Sequence, residues 1–310
     1  MRLRLIILGA IFQGTANALV GLTVRPSAIF LFLGCAFLIA SVVGALLRAS
    51  DRAPASPIRL VDCLWLNVAT AVTFGAFYLA LIWIPASLAA GAEAAAAPLA
   101  ALSINAFRTG RVRYRLWIMA IVVFVVSIAF GWSQNVAGAT SSGIGTVVGM
   151  ALGILAGLGL AVLATLSRRL AETGVSASSI LAVRYHATYV LAFICAAVNW
   201  QHYPSPAEVG SLLLWFGPLG FAAIALPLVL IQAGMMKTSP VLTSVIMAAA
   251  PGFSFITESI INPATTTLTS ILLLVGLVLA VVCFGLVEAY SSKTRVHRLS
   301  KEPNPTYNLD

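Results

Sequence analysis

The sequence predicts an all-α integral membrane protein of ten transmembrane helices, arranged as two inverted five-helix repeats with both termini cytoplasmic. Three observations carry that expectation: a chain too apolar to cover a soluble globule, charges gathered in short clusters between long uncharged runs, and a proline-centred motif recurring half a chain apart. Of 310 residues, 60% are hydrophobic and 9% charged, with a mean hydropathy of +1.01. A soluble domain uses about 25% charged residues to dress its surface. The formal charge of +9, from 18 Lys and Arg against 9 Asp and Glu, does not mark a nucleic-acid partner, which needs a basic face on a folded soluble module.

A helix crosses the hydrocarbon layer in about 20 apolar residues, so the uncharged runs give the spans in order. Arg4 to Arg25 encloses 20 uncharged residues and predicts a span over 3–23; Arg25 to Arg48 encloses 22 and predicts 27–47. Pro85 divides the run from Asp62 to Glu93 and yields 62–83 and 86–107. Arg115 to Arg168 encloses 52 residues, enough for two helices, and its weak point is polar: Ser133, Gln134 and Asn135, then Gly138 to Gly145. That break parts 116–133 from 146–167. The spans 178–199 and 210–232 follow, and Asn262-Pro263 separates 239–261 from 268–289. The first repeat is therefore placed at 1–137, the second at 138–290, and a basic cytoplasmic tail, expected to lack structure, at 291–310. The first span has a rival reading as a signal peptide, since Ala16-Asn17-Ala18 resembles a cleavage site. Its apolar run continues through Val20, Leu22 and Val24, which favours an uncleaved helix.

Orientation follows from the cations. With the N-terminus in the cytoplasm, every Lys and Arg except Arg25 and Arg184 falls on the cytoplasmic side. Such asymmetry is the positive-inside signal, and an even number of spans returns the C-terminus to that side. The net charge is thus read as an orientation signal, for an inner (cytoplasmic) membrane.

Catalytic and metal-binding patterns are not found. Cys35, Cys63, Cys195 and Cys283 lie in or at the edge of spans without metal-site spacing, and His186, His202 and His297 are scattered. No Ser/His/Asp order, HExxH, glycine-rich strand–helix loop or Walker sequence occurs. An enzyme, a cofactor and a structural metal are not expected.

Ala94-Ala95-Ala96-Ala97-Pro98 in the fourth span matches Ala248-Ala249-Ala250-Pro251 in the ninth, and a polar group stands seven residues after each proline, Asn105 and Glu258. Five helices per half is an odd number, so a second copy enters the membrane inverted. Inverted repeats recur in secondary transporters, with the site near midplane between the halves and proline-interrupted helices beside it.

These residues resemble the drug/metabolite transporter superfamily, in its EamA-like ten-helix branch. The resemblance covers nearly the whole chain, on degenerate motifs. It rests on small-residue helices centred on Pro98 and Pro251, on Glu258, on the small-residue sixth span from Gly149 through Ala164 followed by Arg168-Arg169, and on Arg184 early in the seventh. Asn105 departs from it, standing where a glutamate is expected. The resemblance implies transport of small metabolites, often as efflux, without identifying a substrate.

Among single residues, Glu93 lies about 6 Å from the middle of its span at 1.5 Å per residue. A charge there is costly unless neutralised, paired or wet, so it is a candidate coupling site for protons. A position near the outer mouth is the bland alternative. Arg184 is placed similarly, and could hold an anionic substrate group, pair with Glu93, or snorkel to the interface. Gln13 and Asn17, four apart, share one face of the first span, and either line a cavity or bond across helices. Tyr78 is deep enough to face a cavity; the tryptophans, with Tyr203, read as interfacial anchors. Glu258 is expected to cap the structure or line an exit, and the stripe Gly145, Gly149, Gly153 and Gly157 to pack closely on another helix. The function expected is therefore a secondary active transporter, exporter or exchanger, of a small polar or amphiphilic metabolite, with the bilayer and protons as its other partners. The alternative is a non-transporting membrane protein, such as a scaffold, lipid-handling factor or accessory subunit.

Overall fold

The computed structural model describes residues 2–51, 56–137, 143–199, 206–263 and 266–299. Among them there is no strand, and ten helices are long and apolar enough to cross a membrane. They run Leu3–Thr23, Pro26–Ser50, Leu60–Ala80, Ala86–Thr109, Tyr114–Ser133, Gly143–Glu172, Ala177–Val198, Leu213–Met235, Pro240–Ile261 and Leu268–Glu288, numbered below as the first to tenth spans. Their ends lie within a few residues of those expected. The chain is a multi-pass membrane protein. The centre of the polar break after the fifth span (138–142), together with Trp200 and Tyr203, lies outside the described residues. The helix bearing the tenth span continues to Leu299, past the start expected for an unstructured tail, because no Gly or Pro interrupts the sequence between Gly285 and Pro303.

Composition sorts the spans by depth. The fourth is mostly Ala, Gly and Ser through its first half, so its neighbours approach its backbone closely, and it is the most buried of the ten. The tenth, rich in Leu and Val, is the least buried and turns Leu272, Leu279 and Leu286 outward, as a helix facing lipid does. The fourth span packs on the fifth, sixth and ninth; the first packs on the eighth and ninth; the sixth packs on the third and fourth. The second lies against the seventh and eighth, and the tenth against the fifth.

The glycine stripe of the sixth span makes close approaches of this kind. A Cβ at Gly149 would stand 2.8 Å from Ile84, and one at Gly153 would stand 2.7 Å from Ala92 and 3.0 Å from the Ala89 carbonyl. At Gly157 it would collide with the carbonyl oxygen of Glu93 and lie 2.9 Å from Ala96. Gly14 of the first span meets the ninth in the same way, with a Cβ 2.5 Å from the Ala250 carbonyl.

Four spans are irregular. The third and eighth carry five-residue π turns at Ala71–Gly75 and Phe221–Ala225. The seventh breaks between Ala177–Val183 and His186–Val198, and the ninth between Pro240–Met247 and Ala250–Ile261. Pro251 accounts for the last break: it has no N–H to bond the Met247 carbonyl, and it sits in the first turn of the following piece, where a missing donor is harmless. Pro98 differs, lying inside the unbroken helix Ala86–Thr109. The two prolines, expected to shape their helices alike, do not.

Gly157→Ala is expected to destabilise the protein by about 1–3 kcal/mol through overpacking. Gly217, in the eighth span, faces open space, so Gly217→Ala should leave stability unchanged or raise it by up to about 1 kcal/mol through helix propensity. Thermal unfolding of both variants in one detergent checks the contrast.

Candidate functional site

Deep in the bundle, the first, third and fourth spans bring four polar side chains into one region. The Tyr78 hydroxyl donates to Asn17 Oδ1 at 3.3 Å. Gln13, one turn from Asn17 on the same face, is buried, as are Asn17 and Tyr78. Glu93 acts electrostatically on Tyr78 and is itself 8% exposed. Among the described residues no side chain forms an ion pair with Glu93; the two salt bridges there are Arg168–Glu172 and Arg169–Asp62. A carboxylate inside a membrane span is costly in its charged form unless it is paired or wet, which makes Glu93 the candidate ionisable site of this region. Tyr78, Asn17 and Gln13 add neutral donors and acceptors suited to a polar solute.

Glu258 belongs elsewhere. Its Oε1 accepts from the backbone N–H of Ser87 at 3.2 Å, at the N-terminus of the fourth span. A carboxylate there satisfies a free donor and opposes the positive end of the helix dipole. The ninth span is thus tied to the fourth at one mouth of the bundle. Asn105, at the other end of the fourth span, lines a recess with the connections at the opposite mouth.

Arg184 neither snorkels nor pairs with Glu93. It is 1% exposed, its Nη1 donates to Gln232 Oε1, and its guanidinium carbon lies 4.7 Å from the centre of the Tyr185 ring. Ser167 donates to the same Gln232 oxygen at 3.5 Å, while Arg184 Nε has no partner. Sixth, seventh and eighth spans are joined by this group. It is a buried cation held by an amide and a ring face, and among the described residues no carboxylate pairs with it.

Asn67 and Gln232 were not singled out from the sequence. Asn67 Nδ2 donates to the Val183 carbonyl at 2.6 Å and Asn67 Oδ1 accepts from Ala187 N–H at 2.9 Å. One amide side chain of the third span therefore takes up a carbonyl and an N–H on either side of the break in the seventh. The signal available was an amide inside an otherwise apolar run, the same signal that marked Gln13. Of the expected anchors, Trp65, Trp132 and Trp215 are more than half exposed and Trp83 is 38% exposed. Trp117 is partly buried within the fifth-span packing.

No protein-family model and no curated protein matches the sequence. Solved structures do: 22 chains match. One protein of known crystal structure is similar over 91% of this chain and 96% of its own, with a TM-score of 0.69 and 21% identity. At that identity the likeness speaks to the fold alone.

Gln232→Leu leaves the Arg184 charge without its acceptor and should destabilise the protein by about 2 kcal/mol, the scale of a buried hydrogen bond to a charged group. Arg184→Met together with Gln232→Leu removes both partners and should recover much of that loss. Unfolding midpoints of the single and double variants measure the coupling; additive effects would mean that the two side chains act independently.

Proposed function

We propose that this protein is a secondary active transporter of the drug/metabolite class, exporting or exchanging a small polar or amphiphilic metabolite across the cytoplasmic membrane. The observation that carries the reading is Glu93: a carboxylate without an ion-pair partner among the described residues, inside the most buried span and beside the Tyr78–Asn17 pair. Intramembrane ionisable residues cost several kcal/mol and are retained where they bind or relay something. With no nucleotide-binding motif in the sequence, uphill transport draws on an ion gradient or on exchange, and Glu93 is the proposed proton carrier.

The proposed mechanism rocks two inverted five-helix halves about this region, giving alternating access. Several features support a repeat beyond the proline motif. The π turns of the third and eighth spans, Ala71–Gly75 and Phe221–Ala225, occupy corresponding places in the two halves. Neighbours exchange too: the first span packs on the eighth and ninth as the sixth packs on the third and fourth. Each of these pairings sets a glycine against a backbone carbonyl of the proline-bearing span, Gly14 on Ala250 and Gly157 on Glu93. In the proposed topology both termini are cytoplasmic, a reading supported by the basic connections through the positive-inside rule.

Glu93→Gln keeps shape and hydrogen bonding but fixes the neutral state. In proteoliposomes loaded with candidate metabolites it should abolish accumulation driven by a pH gradient while leaving exchange between pools of the same solute. A variant that accumulates at the wild-type level removes Glu93 from the coupling step; wild-type protein that gives no saturable flux with any candidate removes transport itself.

For orientation, a cysteine at position 202, in a background lacking the four native cysteines, should react with an impermeant reagent added outside intact cells. Tags at both termini should react only after lysis. Outside labelling of the termini would reverse the proposed topology.

A further inference from the structure

At the mouth opposite the Glu258–Ser87 tie, the ends of the fourth and sixth spans and the connection from eighth to ninth enclose a cavity of about 500 Å³. Six cations line it against the carboxylates Glu172 and Glu288. Each of those carboxylates is engaged: Glu172 with Arg168 Nε at 2.9 Å, and Glu288 with the Ser239 hydroxyl at 2.6 Å and electrostatically with Arg113. Arg169 lies 3.6 Å from Asp62. Arg108, Arg111 and Lys237 are left, and among the described residues none of them has an ion-pair partner.

We propose that this recess is a binding site for a phosphate-type oxyanion, carried either on a small soluble molecule or on a lipid headgroup. Orientation of the chain accounts for cations on these connections but not for their convergence, since the positive-inside effect acts on short loops whatever they face. Here side chains from separate connections are drawn around one concavity, and like charges so gathered repel unless an anion sits among them. The volume falls within the roughly 300–1,000 Å³ of small-molecule sites. Two guanidiniums supply planar forks that match phosphate oxygens in pairs, and Lys237 adds a point charge.

Asn105 sharpens the case. It occupies the place, seven residues beyond the proline, that Glu258 holds in the ninth span. Glu258 puts a carboxylate at its own mouth; Asn105 lines the recess as a neutral amide, so nothing on the fourth span cancels Arg108. Glu288 is held by Ser239 at the start of the ninth span, where Ser239 also accepts from the Leu242 N–H. The assignment does not depend on transport.

The test uses the full purified chain. In zwitterionic detergent, inorganic phosphate and glycerol phosphate are titrated calorimetrically. In nanodiscs of phosphatidylcholine with or without phosphatidylglycerol, retained lipid is counted by native mass spectrometry. Saturable, salt-sensitive binding is expected in at least one arm. The arm in which it occurs identifies the source: a soluble phosphate in detergent, a headgroup in nanodiscs. Arg108→Gln with Lys237→Gln should weaken that binding on the order of tenfold or more, as expected for the loss of charge-assisted hydrogen bonds, and Lys237→Gln alone should weaken it less. Arg48→Gln, on the same side but outside the recess, should leave it unchanged. All three positions are exposed, Arg48 and Arg108 near helix ends and Lys237 in the turn after the eighth span, so unfolding midpoints without ligand should match wild type. The proposal is overturned if neither arm shows saturable binding, or if Arg48→Gln weakens binding as much as the recess variants, which would mean a diffuse surface charge.

Discussion

Between the fourth and sixth spans, Gly157 lies against the carbonyl of Glu93 with no room for a methyl group, and Gly153 repeats the contact one turn away against Ala89 and Ala92. In lipid there is little hydrophobic drive between helices, so packing at this separation is a principal source of association. Much of the interior follows from it. An alanine-rich helix offers no bulky side chains to hold neighbours off, so the fourth span is surrounded and becomes the most buried element. Glu93 is carried inward with it, beside Tyr78 and Asn17. A larger residue at position 157 would push the two helices apart and admit water or lipid where that carboxylate now sits.

Around this contact the chain places its irregularities, and its two helix breaks are bridged by local hydrogen bonds. A helix broken inside the hydrocarbon layer exposes backbone donors and acceptors that lipid cannot satisfy. The break in the seventh span is closed by one side chain, Asn67, bonded to Val183 and Ala187. At the ninth, Ala248 and Ala249 tighten onto the carbonyls of Val245 and Ile246 before Pro251 restarts the helix. Next to the first break, Arg184 is anchored by Gln232 and the Tyr185 ring. Spans with satisfied breaks can bend at fixed places while their segments stay intact, which is what a rocking mechanism requires of its moving helices.

The spans were legible because their signal is long and uniform: a run of about 20 uncharged apolar residues has few other stable fates. Exposed tryptophans and the glycine stripe were legible for the same reason, since each follows from residue type and period. Pairings across the bundle were not. Glu93, Arg184, Gln13, Asn17 and Tyr78 could be picked out as polar groups at depth, but periodicity does not say which helix faces which. Arg184 therefore stood open to Glu93 as a partner, while Gln232, an amide nearly fifty residues away, is the group it meets. Pro98 and Pro251 look alike in sequence because both follow alanines. Their helices respond differently, one continuous and one broken, because tertiary packing decides whether a proline's lost hydrogen bond becomes a break.

The two mouths of the molecule are chemically unlike. One is tied by Glu258 to the start of the fourth span; the other is a basic recess, whose innermost residue on the fourth span, Ala101, is eight residues, or about 12 Å along the helix, from Glu93. The central claim is that these mouths open in alternation about Glu93. Spin–spin distance measurements address it directly, with label pairs at Thr109 and Thr173 for the basic mouth and at Trp83 and Ile260 for the other. The account predicts two distances for each pair, with the long distance at one mouth populated when the short one is populated at the other, and a shifted ratio in Glu93→Gln. A single distance for each pair, unchanged by Glu93→Gln, would contradict it.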